Sequence, residues 1–137
     1  MGPTPQVECW LYQPEEPKKK HKWDYDEPGF VDVPKRKGPG TVRVAKCPSS
    51  MTMEQAEELL QGAIAWSPRG WTRDYPQRLY AVHDGWLYRA MPTIPGRSYH
   101  GFPEDDQSRQ VPETLHEAIR EVASSKGCVE EIERWLR

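Results

Sequence analysis

The dipeptide Asp84-Gly85 constrains this chain more than any other feature. It sits between two runs rich in strand formers, Arg78-Leu79-Tyr80-Ala81-Val82-His83 and Trp86-Leu87-Tyr88-Arg89-Ala90-Met91. A two-residue link between antiparallel strands needs positive φ at both positions, which Asp tolerates and Gly adopts freely. The turn also forces the register of a hairpin over 78–91: His83 faces Trp86, Val82 faces Leu87, and Ala81 faces Tyr88. Side chains alternate across a strand. Leu79, Ala81, His83, Trp86, Tyr88 and Ala90 therefore share one face, and Tyr80, Val82, Leu87, Arg89 and Met91 share the other. Neither face is polar throughout, so the hairpin needs cover on both sides. A helix supplies one cover, and a further segment or another chain supplies the second.

The helices are marked by their caps and periodicity. Thr52 followed by Gln55 forms a capping box. Ala56, Leu59, Leu60, Ala63 and Ile64 then trace one apolar face, which predicts a helix over 52–65. Glu54, Glu57 and Glu58 lie toward its N-terminus, where the helix dipole favours anions. Pro112 opens a second helix over 112–126, with Leu115, Ala118, Ile119, Val122 and Ala123 on one side and Gly127 as a left-handed cap. Val129, Ile132, Trp135 and Leu136 predict a short C-terminal helix over 128–136. Residues 41–46 alternate as a half-buried strand ended by Pro48. Shorter strands are expected at 30–33 and 97–102, and Lys35-Arg36-Lys37-Gly38-Pro39-Gly40 is a turn by composition. The fold class is α+β: a small antiparallel sheet with a central β-hairpin, packed by two amphipathic helices and a short third one.

The 137 residues suit one domain, and 8 of the 14 prolines fall in the first 48 residues. Residues 1–40 accordingly read as a basic, Pro-rich, partly irregular approach with a strand over 6–12, and 41–137 as the compact domain. The formal charge is −2, which argues against a dedicated DNA-coating protein. Residues 1–50 carry 9 Lys/Arg against 7 Asp/Glu, whereas 51–137 carry 10 against 14. Cys9, Cys47 and Cys128 are odd in number and widely spaced, so they outline neither a disulfide framework nor a zinc site. No apolar run reaches the ~18 residues that span a bilayer. The N-terminus lacks a charged-then-apolar leader layout. A cytoplasmic protein is expected.

Three segments invite a functional reading. The first is Pro95-Gly96-Arg97-Ser98-Tyr99-His100-Gly101-Phe102-Pro103. Metal-free RNA cleavage needs a base, an acid and a cation for the phosphate, roles that His100, Tyr99 and Arg97 can fill. The second is Lys18-Lys19-Lys20-His21-Lys22, followed by Trp23 and Tyr25. Cations beside aromatics suit single-stranded nucleic acid, which makes Lys18, Lys19, Lys20 and Lys22 the candidate phosphate contacts. The third is the Pro/Arg/Gly-rich loop from 67 to 76. Trp66, Arg69, Trp71, Arg73 and Tyr75 are of the types enriched where proteins meet. Glu104-Asp105-Asp106 lacks the alternation of a calcium loop, no His/Cys pair has ligand spacing, and no phosphate cradle or nucleophile elbow is present. No metal or cofactor is expected, and no motif demands catalysis.

From residue 78 onward the layout resembles HicB-type antitoxins. The matching features are the hairpin over 78–91, the turn Pro92-Thr93-Ile94-Pro95-Gly96, and the helix opening Thr114-Leu115-His116-Glu117-Ala118. The resemblance covers residues 78–123. The connection from 97 to 113 is longer than the family pattern, and the helix before the hairpin departs from it. The resemblance implies a non-enzymatic, oligomeric partner of a small ribonuclease toxin. The leading expectation is thus an antitoxin- or immunity-like protein that binds a partner protein through the 66–75 loop and the hairpin surface. The alternatives are an RNA-cleaving toxin domain and a single-stranded nucleic-acid binder.

Overall fold

The computed structural model describes residues 11–12, 26–107 and 110–136. The main sheet holds β1 (Leu11–Tyr12), β4 (Ile64–Trp66), β5 (Arg78–His83), β6 (Trp86–Ile94) and β7 (Ser98–Pro103), in the order β1-β7-β6-β5-β4. β4 through β7 form an antiparallel meander, and β1 joins β7 in parallel. A separate antiparallel ribbon pairs β2 (Gly29–Pro34) with β3 (Thr41–Lys46). The helices are α1 (Met53–Gln61), α2 (His116–Ser125) and α3 (Val129–Ile132), each of the last two extended by a 3₁₀ turn. Most of the strand expected at 6–12 lies outside the described residues.

The hairpin forms in the register that its turn requires: His83 opposite Trp86, Val82 opposite Leu87, Ala81 opposite Tyr88. Asp84 and Gly85 take φ of 49° and 77°. Both faces are covered, and the same chain supplies both covers. Tyr80, Val82 and Leu87 pack under α2 and α3 against Ile119, Ala123, Ile132 and Trp135. On the opposite face Leu79, Ala90 and Tyr99 pack with Leu60 and Tyr75, and Tyr88 packs with Met51 and Ala56. The result is a sheet between two layers, which is how apolar strands on both faces escape water. Trp86, at the hairpin end, reaches both layers and stacks edge-on to Trp135 at 5.4 Å.

The helix boundaries follow from caps. Thr52 Oγ1 accepts from the Gln55 N–H and Gln55 Oε1 accepts from the Thr52 N–H, which completes the capping box. Gly127 takes φ of 72°, and the next N–H donates back to the Ala123 carbonyl at 2.9 Å. The first helix, however, stops at Gln61. Gly62 closes it with an N–H to the Glu58 carbonyl, and Ile64 begins β4, pairing with Tyr80. The i+8 spacing predicts Ile64 on the helix face. The bare edge of β5 needs backbone partners more than the helix needs another turn, and Ile-Ala-Trp suits a strand.

Candidate functional site

β4 and β5 are neighbours, with Trp66 opposite Arg78, so residues 67–77 must leave the sheet edge and return to it. Local chemistry holds this excursion in one shape. The Gln77 N–H donates to Ser67 Oγ at 3.2 Å, closing the base of the loop. The Trp71 N–H donates to the Pro68 carbonyl at 3.0 Å, and Gly70 supplies φ of 89°. Trp71 Nε1 donates to the Tyr75 carbonyl at 2.6 Å, and the two rings meet edge to face at 5.8 Å. Beneath them the Tyr99 hydroxyl donates to the Pro76 carbonyl at 2.5 Å. Tyr99 is fully buried, and that burial, reinforced by the neighbouring Tyr75 phenol, raises its pKa well above the ordinary tyrosine range.

Fixed backbone in this loop presents exposed side chains. Arg69, Thr72, Arg73 and Asp74 all face solvent. Neither Arg69 nor Arg73 has an ion pair or hydrogen bond among the described residues. Tyr75 is buried and Trp71 half-buried, both on the α1 layer. Trp66 stands apart from them. It lies in β4, packs on the α2–α3 layer, and carries the Arg78 guanidinium 4.8 Å above its ring. The structure therefore brings Arg69, Trp71, Arg73 and Tyr75 together and places Trp66 on the other side of the sheet.

The trio expected around a phosphate is not assembled on one surface. Alternation along β7 sends the Tyr99 and His100 side chains to opposite faces. Tyr99 is spent on Pro76, while His100 Nδ1 lies 2.7 Å from Thr93 Oγ1. Arg97 is exposed in the turn that precedes them. Lys18, Lys19, Lys20 and Lys22 lie outside the described residues.

A charged cluster that local sequence does not announce lies at the far end of the sheet. Glu104 is 1% exposed. Its Oε1 accepts from the Asp105 N–H at 3.0 Å, and its Oε2 sits 3.3 Å from Arg89 Nε. Burial raises its carboxyl pKa, and the Arg89 charge opposes that rise. Asp105 and Asp106 meet Arg43 of β3 at 3.1 and 3.9 Å, and Asp106 meets Arg134 at 3.7 Å. The acidic loop is thus neutralised by arginines from three elements, tying the ribbon and the C-terminal turn to β7. Among the described residues no group of three His, Cys, Asp or Glu could hold a metal ion, and no helix is long and apolar enough to cross a membrane. The signal for this cluster is long-range: only the fold brings residues 43, 89, 104 and 134 within reach of one another.

No family model, curated protein or solved structure matches the chain.

Proposed function

We propose that this chain is a partner-binding protein of the antitoxin or immunity kind, acting without catalysis through the 67–77 loop. The observation that carries this reading is Arg69 and Arg73, two unpaired guanidinium groups held on a stapled loop. A loop that is already ordered loses little conformational entropy on docking, so more of each contact appears as affinity. Arginines of this kind meet carboxylates in a bidentate manner and raise the rate of encounter with an acidic surface. The half-buried Trp71 ring beside them adds apolar area of the type that dominates interface energetics. The resemblance of residues 78–123 to HicB-type antitoxins supports a toxin as the partner.

The test is affinity capture from the protein's own cells with wild type and with Arg69→Ala/Arg73→Ala. Both residues are exposed, so the double variant keeps its fold. A stoichiometric partner with an acidic contact surface should be retained by wild type. Two arginines at about 1–2 kcal/mol each imply a loss of roughly 30- to 1,000-fold in affinity. Retention of every co-purifying protein by the double variant would sink the proposal.

A further inference from the structure

The β2–β3 ribbon projects from the two cores, and its free end is cationic. Every residue from 34 to 43 is exposed. Its base is fixed: Phe30 lies 6.2 Å from Trp86, and Arg43 holds Asp105 at 3.1 Å. Its tip is closed by the Lys35 N–H donating to the Gly40 carbonyl at 3.1 Å, with Gly38 and Gly40 at φ of 83° and 98°. Lys35, Arg36 and Lys37 occupy that tip, and no acid lies between Val33 and Arg43. None of the three side chains has an ion pair or hydrogen bond among the described residues. Packing gains nothing from three adjacent cations on a turn, and they repel one another within the ~8 Å screening length of physiological salt.

From this geometry we infer that the ribbon tip, Lys35-Arg36-Lys37, is a contact site for the phosphate backbone of duplex DNA. Three adjacent cations suit a polyanion, and the shape of the ribbon selects which one. The major groove of B-DNA, about 12 Å wide, admits a two-stranded ribbon. The major groove of A-form RNA is too deep and narrow for it. Binding of single strands relies on aromatic platforms, and residues 31–46 contain no aromatic side chain. The contact is largely independent of sequence, because phosphate carries none. It is also weak, since the remainder of the chain is acidic, and sensitive to salt, since each phosphate neutralised releases counterions. This surface is separate from the 67–77 loop and stands whether or not that loop binds a partner.

The test is fluorescence anisotropy of a labelled 20-base-pair DNA duplex with the full chain, from 50 to 200 mM NaCl. Each neutralised phosphate contributes about −0.9 to the slope of log affinity against log salt, so three give about −2.7, or about 40-fold across this range. Lys35→Gln/Arg36→Gln/Lys37→Gln should flatten the slope by that amount and weaken binding more than tenfold at 50 mM, with an unchanged melting temperature. Arg69→Ala/Arg73→Ala should leave the slope unaltered. The inference is overturned by any of four results: no wild-type binding at 50 mM, an unchanged slope in the triple variant, loss of DNA binding in the loop variant, or tighter binding to a single strand or RNA duplex of the same length.

Discussion

Changing Tyr99 to Phe removes one oxygen from beneath the 67–77 loop and leaves the ring in place. The ring keeps its contacts with Leu79, Ala90 and Tyr75, so no cavity opens. What is lost is the hydrogen bond to the Pro76 carbonyl, and Pro76 is itself buried. A buried acceptor stripped of its donor costs about 1–3 kcal/mol. For a domain of this size each kcal/mol lowers the melting temperature by about 4 °C, so Tyr99→Phe should melt roughly 4–12 °C below wild type by circular dichroism. Limited trypsin digestion reads the loop directly. If the hydroxyl holds the loop closed, cleavage after Arg69 and Arg73 should speed up by roughly 5- to 150-fold, matching the same 1–3 kcal/mol. Cleavage at the ribbon tip, after Lys35 to Lys37, serves as the internal control and should not change. Alkaline titration adds a third readout. The folded phenol is held above its ordinary pKa of 10.0, so its stabilisation is complete below pH 10 and is lost as pH rises beyond it. The variant should lack this component of alkaline destabilisation. A melting temperature within 1 °C of wild type, with loop cleavage unchanged, would refute the staple.

Other expectations follow from the same packing. Leu87 is fully buried under α2 and α3, so Leu87→Ala should lower unfolding free energy by about 2–5 kcal/mol in urea titration. Gly85 has φ of 77°, and a Cβ there would make only ordinary 3.5 Å contact with Glu131. Gly85→Ala should therefore cost about 1–2 kcal/mol through backbone strain alone, and Gly85→Asn less, since Asn tolerates the left-handed region. The Glu104 carboxyl is held above the ordinary glutamate value of 4.5 by burial. The fold then keeps a proton that the unfolded chain has released, so wild-type stability should fall as pH rises above about 4.5. Glu104→Gln should flatten the urea midpoint against pH over that window, and an unchanged profile would contradict the assignment.

The features legible in the sequence were those set by neighbours along the chain. Asp84-Gly85 determines the turn, and the turn determines the register of every hairpin pair. Thr52 with Gln55, and Gly127 after α2, specify helix ends within a few residues. Where distant contacts decide, sequence reasoning gave less. The end of α1 depends on the demand of β5 for an edge partner, which periodicity cannot register. The opposite facings of Trp66 and Trp71 depend on β4 being a strand at all. Glu104 read as one acid among three, because nothing beside it indicates that Trp135 Nε1 will donate to its carbonyl at 2.8 Å from the other end of the domain.

The aromatic richness of the chain also has a different use from the one its loops suggested. Arg43 covers Phe30 at 4.2 Å, Arg89 covers Phe102 at 5.1 Å, and Arg134 lies 4.4 Å over Trp86 and 4.1 Å over Trp135. With Arg78 on Trp66, these guanidinium groups act as lids at the rim of the core. Each lays its guanidinium on a ring while its N–H groups face an acid or a carbonyl. A chain with 36% apolar residues can close two core layers in this way without a larger apolar surface. The cations divide by use. Arg43, Arg78, Arg89, Arg120 and Arg134 are engaged by rings, acids or carbonyls of the chain itself. Among the described residues Lys35, Arg36 and Lys37 of the ribbon tip and Arg69 and Arg73 of the loop have no such engagement, and neither does the Arg97 side chain in the turn before β7. Mutating the first group should cost stability, whereas mutating the ribbon-tip or loop cations should cost binding and leave the melting temperature where it was.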